Sequence, residues 1–82
     1  MEDTITAFLK ETLKVSNVNI LHILGDTEFT FKLDGDSWTL IHSTEEAEPT
    51  FVLYNNSHNP SLEGYYTDFE TFKADVLDFL KL

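Results

Sequence analysis

His22, His42 and His58 are the three imidazoles of an 82-residue chain that also carries fifteen carboxylates and no cysteine. These are the side chains that could ligate a metal or move a proton. Zinc needs a tight constellation, most simply two histidines one helical turn apart, and here the histidines are separated by 20 and 16 residues. The strand pattern described below puts His22 and His42 on strands that flank a third, about 10 Å apart, too far to share one ion. The expectation is that each histidine is structural or exposed. Asp34 and Asp36 in "LDGDS" open like a calcium loop, but its later oxygen ligands and terminal bidentate glutamate are missing. A hairpin turn accounts for Asp34 without any metal.

Covalent chemistry has no better footing. Serines 16, 37, 43, 57 and 61 lie in no Gly-x-Ser-x-Gly elbow, and thiol nucleophiles and disulfides are excluded by composition. Glycines at 25, 35 and 64 cannot build a phosphate-binding loop. Fifteen carboxylates guarantee some acid–base pairs, yet a chain this short leaves little room for a substrate cleft. The sequence therefore points away from an enzyme, and no metal or cofactor is expected.

Charge is the more informative property. The formal net charge is -10, with five lysines and no arginine. Nucleic-acid binding requires cations that displace counterions from phosphates, and arginine for bidentate contacts. Direct binding to nucleic acid or to an anionic membrane surface is disfavoured, and a basic protein partner is favoured. No stretch approaches the roughly 18 consecutive apolar residues that span a bilayer. "MEDTITAFLKETLK" lacks the basic start and apolar run of a signal peptide, so a cytoplasmic protein is expected, with the sequon-like "NNS" at Asn55 idle.

Two groups of residues are candidates for contacting such a partner. In "IHSTEEAEPTF", residues 41–51, Glu45, Glu46 and Glu48 crowd one connection between apolar runs. Tyr65 and Tyr66 follow Gly64, and paired tyrosines at a loop tip make good anchors. The competing readings are a merely solvated loop and a tyrosine ring that closes over the sheet beside a helix.

The elements that must hold these residues can be read from periodicity. Ile5, Phe8, Leu9 and Leu13 have helical spacing over residues 3–14, with Asp3 as N-cap. Three strand patterns follow, "VNILHIL", "EFTFKL" and "SWTLIHS", joined at Gly25-Asp26 and Asp34-Gly35. The second turn sets a register: Leu33 opposite Asp36, Phe31 opposite Trp38, Phe29 opposite Leu40. The first hairpin stays open. A two-residue loop turns Val18, Ile20 and His22 to the core, whereas a three-residue loop turns Leu21 and Ile23 there.

Residues 50–55 read as a fourth strand, with Pro49 at its start, and "NSHNPSLEGYY" reads as a loop. "TDFE" is a capping-box signature in which Thr67 caps a second helix carrying Phe69, Phe72, Val76, Phe79 and Leu80. The outer face of strands two and three (Glu28, Thr30, Lys32, Ser37, Thr39, Ile41) is mostly polar, which places both helices on the other side. The expected fold is a single two-layer α+β domain: a four-stranded antiparallel meander with N- and C-terminal helices on one face, in the order α-β-β-β-β-α.

In such a meander alternate connections share an end of the sheet. Asp26 and Glu28 should then join Glu45, Glu46 and Glu48 in one acidic end. In size, acidity and layout the chain is similar to phage-encoded DNA-mimic inhibitors of nucleic-acid enzymes, including some anti-CRISPR and glycosylase-inhibitor proteins. That resemblance implies an inhibitor whose carboxylates occupy phosphate positions on a basic, nucleic-acid-handling protein. It is compositional, and it transfers no individual residue role. The alternative is a structural or regulatory interaction domain that docks through apolar contacts.

Overall fold

A computed structural model of the chain describes residues 1–44, 50–57, 61–66 and 68–81. It contains helix α1 (Glu2–Ala7), a wider π-helical turn (Phe8–Thr12), strands β1 (Val18–Ile23), β2 (Asp26–Leu33), β3 (Asp36–Ser43), β4 (Thr50–Asn55) and β5 (Ser61–Tyr65), and helix α2 (Phe69–Leu80). The strands form one antiparallel sheet in chain order, β1-β2-β3-β4-β5. The α+β class and the meander are as expected. The stretch read as a loop after β4 contributes a fifth strand, with Leu62 paired to Leu53 and Tyr65 to Thr50.

The Asp34-Gly35 turn behaves as its residues require. Both have positive φ, 52° and 84°, the type I′ geometry that continues the twist of the flanking strands. Leu33 pairs with Asp36, Phe31 with Trp38 and Phe29 with Leu40, as the turn chemistry demands. The first hairpin takes the two-residue option, but centred one residue earlier than Gly25-Asp26. Ile23 pairs with Asp26, leaving Leu24 and Gly25 as the turn. Leu24 sits at φ 53° with its side chain 96% exposed. A left-handed backbone costs a non-glycine residue roughly 1–2 kcal/mol.

Alternation within this register sends Val18, Phe29, Phe31, Trp38, Leu40, Phe51, Leu53 and Leu62 to one face. These residues join Ile5, Phe8, Leu9, Leu13 and Val15 from the N-terminal segment and Phe69, Phe72 and Val76 from α2 in a single core. Both helices therefore lie on the same side of the sheet. Phe8 meets Phe69 edge to face at 5.6 Å, joining the first helical segment to the last.

Two helix boundaries differ from the sequence reading. Asp3 lies inside the first turn of α1 and is not its cap; Met1 holds the N-cap position, and its carbonyl accepts from the Ile5 amide at 3.0 Å. After Ala7 the helix widens. The Leu13 amide reaches back to the Phe8 carbonyl at 3.2 Å, the Val15 amide to Leu9 at 3.1 Å, and Lys14 turns the chain at φ 63°. Continued α geometry to residue 14 is thus replaced by a wide exit under which Leu13 and Val15 are both buried.

At α2 the N-cap is Asp68, one residue beyond Thr67, which lies outside the described residues. The Asp68 carboxylate accepts from the Thr71 amide at 2.8 Å. That backbone hydrogen bond, aided by the Thr71 hydroxyl, holds the Asp68 carboxyl below its usual value. A lowered folded-state value means that the cap's contribution is present above the ordinary aspartate range and is lost as acid protonates it. Asp68→Ala should accordingly lower the thermal midpoint at neutral pH more than Thr67→Ala does. The gap should close on acid titration; a larger effect at Thr67 would move the cap back.

Candidate functional site

Among the described residues no helix lies over the sheet face opposite the core, and register arranges its residues in rows. One row runs Leu21, Glu28, Ile41, Val52 across four strands, continued by the backbone of Glu63. The next runs Ile23, Asp26, Ser43, then the backbones of Thr50 and Tyr65. Leu21 and Ile23 are exposed, while Glu28, Ile41, Val52 and Tyr54 are half-buried by their neighbours. This face is more apolar than strands two and three alone suggest, because β1 and β4 add Leu21, Ile23, Val52 and Tyr54 to it.

Of the carboxylates expected at the acidic end, Asp26 and Glu28 are among the described residues. The Thr44 amide and hydroxyl both donate to the Gly25 carbonyl, at 3.1 and 3.0 Å. The connection that carries Glu45, Glu46 and Glu48 therefore begins against the Leu24-Gly25 turn, beside Asp26. Those three glutamates, like Pro49 and His58, lie outside the described residues. Asp26 is half-buried, and its Oδ1 is enclosed with no hydrogen-bond partner among the described residues. Lys32, the lysine on this face, is at the far end of β2, opposite Ser37.

The two tyrosines separate. Tyr65 is in the strand, its backbone on the Asp26 row. Tyr66 turns toward the helical layer, where its ring packs edge to face on Phe72 at 5.0 Å and on Phe51 at 6.4 Å. Its hydroxyl donates to Asp75 Oδ2 at 2.8 Å, and burial, with that hydrogen bond and the Asp75 charge, raises the phenol above its usual value. Tyr66 is thus the ring that closes over the sheet beside α2, and of the candidate residues only Asp26 and Glu28, two apart on β2, lie together; the Tyr65 backbone is three strands away.

The histidines have separate employment. His22 Nε2 contacts Glu2 Oε1 at 2.7 Å, linking β1 to the start of α1. His42 stacks on Phe51 with ring centroids 4.7 Å apart. Burial, followed by the positive Met1 amino group, lowers the His42 pKa, so the ring favours its neutral form in the fold. Among the described residues no group of three or more His, Cys, Asp or Glu could hold a metal ion.

At the other end of the sheet, an asparagine clasp ends β4. Asn55 donates to Asp36 Oδ2 at 3.0 Å and accepts from the Ser57 amide at 2.8 Å. Asn56 donates to Ser37 Oγ at 2.8 Å and accepts from the Thr39 hydroxyl at 3.0 Å. Asn55 is only 9% exposed, so its side-chain amide is occupied by structure.

Comparison with protein-family models, with curated proteins and with solved structures yields no match. Geometry and charge alone carry the functional reading. No helix among the described residues is long and apolar enough to cross a membrane. Hollows among the described residues include a groove of about 460 Å³ between α1 and α2, with Asp3, Glu11 and Lys73 on its walls, and one of about 400 Å³ near Asn19, Thr30 and Lys32. Sequence reasoning left open which way Leu21 and Ile23 face, and it missed the exposed Leu24. Their signal was the alternation of "VNILHIL", legible only once the length of the first hairpin loop is known.

Proposed function

We propose that this chain is a small acidic binding protein that docks on a basic, nucleic-acid-handling protein and inhibits it by placing carboxylates where phosphates would lie. It acts by occupancy, without turnover. The observation that carries this reading is the Thr44–Gly25 contact, which joins the connection bearing Glu45, Glu46 and Glu48 to the sheet end that carries Asp26 and Glu28. Support comes from the net charge of -10 and from the scarcity of cations to neutralise it. A second reading, docking by shape and apolar contact, is favoured by the uncovered Leu21, Ile41 and Val52 of the central row.

Salt and charge reversal separate the two. Binding through carboxylates should weaken steeply as ionic strength rises and should be competed by duplex DNA; apolar docking should resist both. Reversing Glu45, Glu46 and Glu48 to lysine should slow association with the captured basic partner and flatten its salt dependence. The control reverses Glu11, Asp34 and Asp78, which are exposed; Asp34 lies in the turn at the opposite end of the sheet, and Asp78 precedes Phe79, which meets Trp38 there. Asp68 and Asp75 are unsuitable controls because they cap α2 and hold Tyr66. Both triples change the net charge equally. Equal loss from both would show that only overall charge matters. Loss from neither, with salt-resistant binding, would move the interface to the central row.

A further inference from the structure

The sheet has two edges, and they are built differently. β5 is short and carries Glu63 and Gly64. Such charges, short lengths and irregularities are how edge strands normally avoid pairing with other chains. β1 is only one residue longer, but Val18–Ile23 contains no carboxylate, lysine, proline or glycine, in a chain that is 24% charged. Nearly the whole strand is exposed, and it presents large apolar groups on both of its faces: Ile20 at 37%, Leu21 at 56% and Ile23 at 43%. Leu24 follows at 96% exposure, in a left-handed conformation that asparagine or glycine would adopt more easily.

We infer that the free edge of β1 pairs antiparallel with β1 of a second copy of this chain, forming a two-fold dimer with one continuous ten-stranded sheet. A two-fold axis normal to the sheet requires residues of the same face to pair. Centring it on Leu21 sets Leu21 opposite its own copy, Ile23 opposite Asn19 and Ile20 opposite His22. Leu24 then falls beside Val18 of the second copy, which gives the strained, exposed leucine something to cover. A strand from a basic partner would call for carboxylates along this edge, and β1 offers none.

The charge of the chain does not forbid this seam. On the helical face the nearest carboxylate is Glu2, which is engaged by His22 of β1 at 2.7 Å; on the open face the nearest are those of Glu28, one strand in from each edge. Three strand spacings, roughly 14 Å, separate β2 from β2 across the axis, and the Debye length at physiological salt is about 8 Å. Repulsion between copies is thus screened, and dimerisation should strengthen as salt rises. That is opposite to the salt response of carboxylate-mediated docking, so this inference and the proposed function stand or fall separately.

Sedimentation equilibrium of the whole chain over a concentration series, at low and high salt, reads the association directly. The expected result is a monomer–dimer equilibrium that tightens with salt, with slower amide exchange in residues 18–24 of the dimer. Leu21→Glu and Leu21→Lys, both at an exposed position, should each remain folded by circular dichroism and be monomeric. Their equimolar mixture should form the heterodimer, because opposite charges then meet on the axis. Leu24→Asn should weaken self-association by about tenfold or more, since each copy loses an apolar contact, while leaving the monomer at least as stable. A chain that stays monomeric at every concentration and salt overturns the inference. So does association that persists in both Leu21 variants, which would place the contact elsewhere, or β1 amides protected only when a basic protein is added.

Discussion

Phe51→Ala is expected to remove much of this domain's stability. Phe51 is 1% exposed and is the hub of the aromatic core. It stacks on Phe72 at 4.9 Å and on His42 at 4.7 Å, and it meets Phe69 at 5.7 Å and Tyr66 at 6.4 Å. Removing a buried phenyl ring costs about 3–5 kcal/mol, because neighbours collapse only partly into the void. Domains of this size are stable by about 5–10 kcal/mol, so the loss consumes much of the margin. Urea denaturation measures it, with Phe51→Leu as a milder comparison. A second readout uses the milder Phe51→Leu variant while it remains folded: without its ring neighbour, the His42 imidazole should titrate nearer its ordinary value by NMR. A loss below about 1 kcal/mol would show that Phe51 is not the hub.

Trp38→Ala should have the next largest effect. Trp38 pairs with Phe31 on one side and Asn55 on the other, and its indole meets Phe79 of α2 edge to face at 6.4 Å and 90°. Full burial would predict the upper end of the 3–5 kcal/mol range; the indole is half-buried, so about 2–4 kcal/mol is expected. A double-mutant cycle with Phe79→Ala should return about 0.5–1.5 kcal/mol of coupling, the usual worth of an aromatic pair beyond its area. Coupling near zero would mean that the last turn of α2 does not depend on the sheet.

The contrast between the two hairpins shows what sequence could and could not convey. Asp-Gly dictates its own turn, because both residues tolerate positive φ, and the Phe31–Trp38 and Phe29–Leu40 pairs follow from it. No local rule selects leucine for φ 53°. The Leu24-Gly25 turn exists because the pairing of β1 with β2 fixes where the chain must reverse. β5 is a similar case: "SLEGY" has weak strand propensity and becomes a strand by pairing with β4. The Phe-rich helix was legible, but its cap moved from Thr67 to Asp68, since both residue types suit the position and only the Thr71 amide decides between them. In the first helical segment the apolar spacing was correct, and the wide exit at Lys14 was invisible because such turns usually advertise themselves with glycine or asparagine. Of the candidate site, meander topology anticipated that Thr44 would meet the Leu24-Gly25 turn beside Asp26, while Glu45, Glu46 and Glu48 lie outside the described residues. The tyrosines could not be divided without knowing that Tyr65 ends a strand.

A sheet in which every strand pairs with its sequence neighbour has a kinetic consequence. Each hairpin closes a short loop, so the sheet can assemble stepwise without a long-range search, the circumstance that makes folding fast. The Phe8–Phe69 contact is of the opposite kind, since it spans the whole sheet in sequence. Until α2 arrives, the apolar face that holds Phe29, Phe31, Leu40 and Phe51 has only the first helical segment to shelter it. The transition state should therefore be dominated by the middle hairpin, with the meeting of the two helices left to the late, downhill part of folding. Substitutions at Phe8 or Phe69 would then accelerate unfolding and leave the folding rate almost untouched.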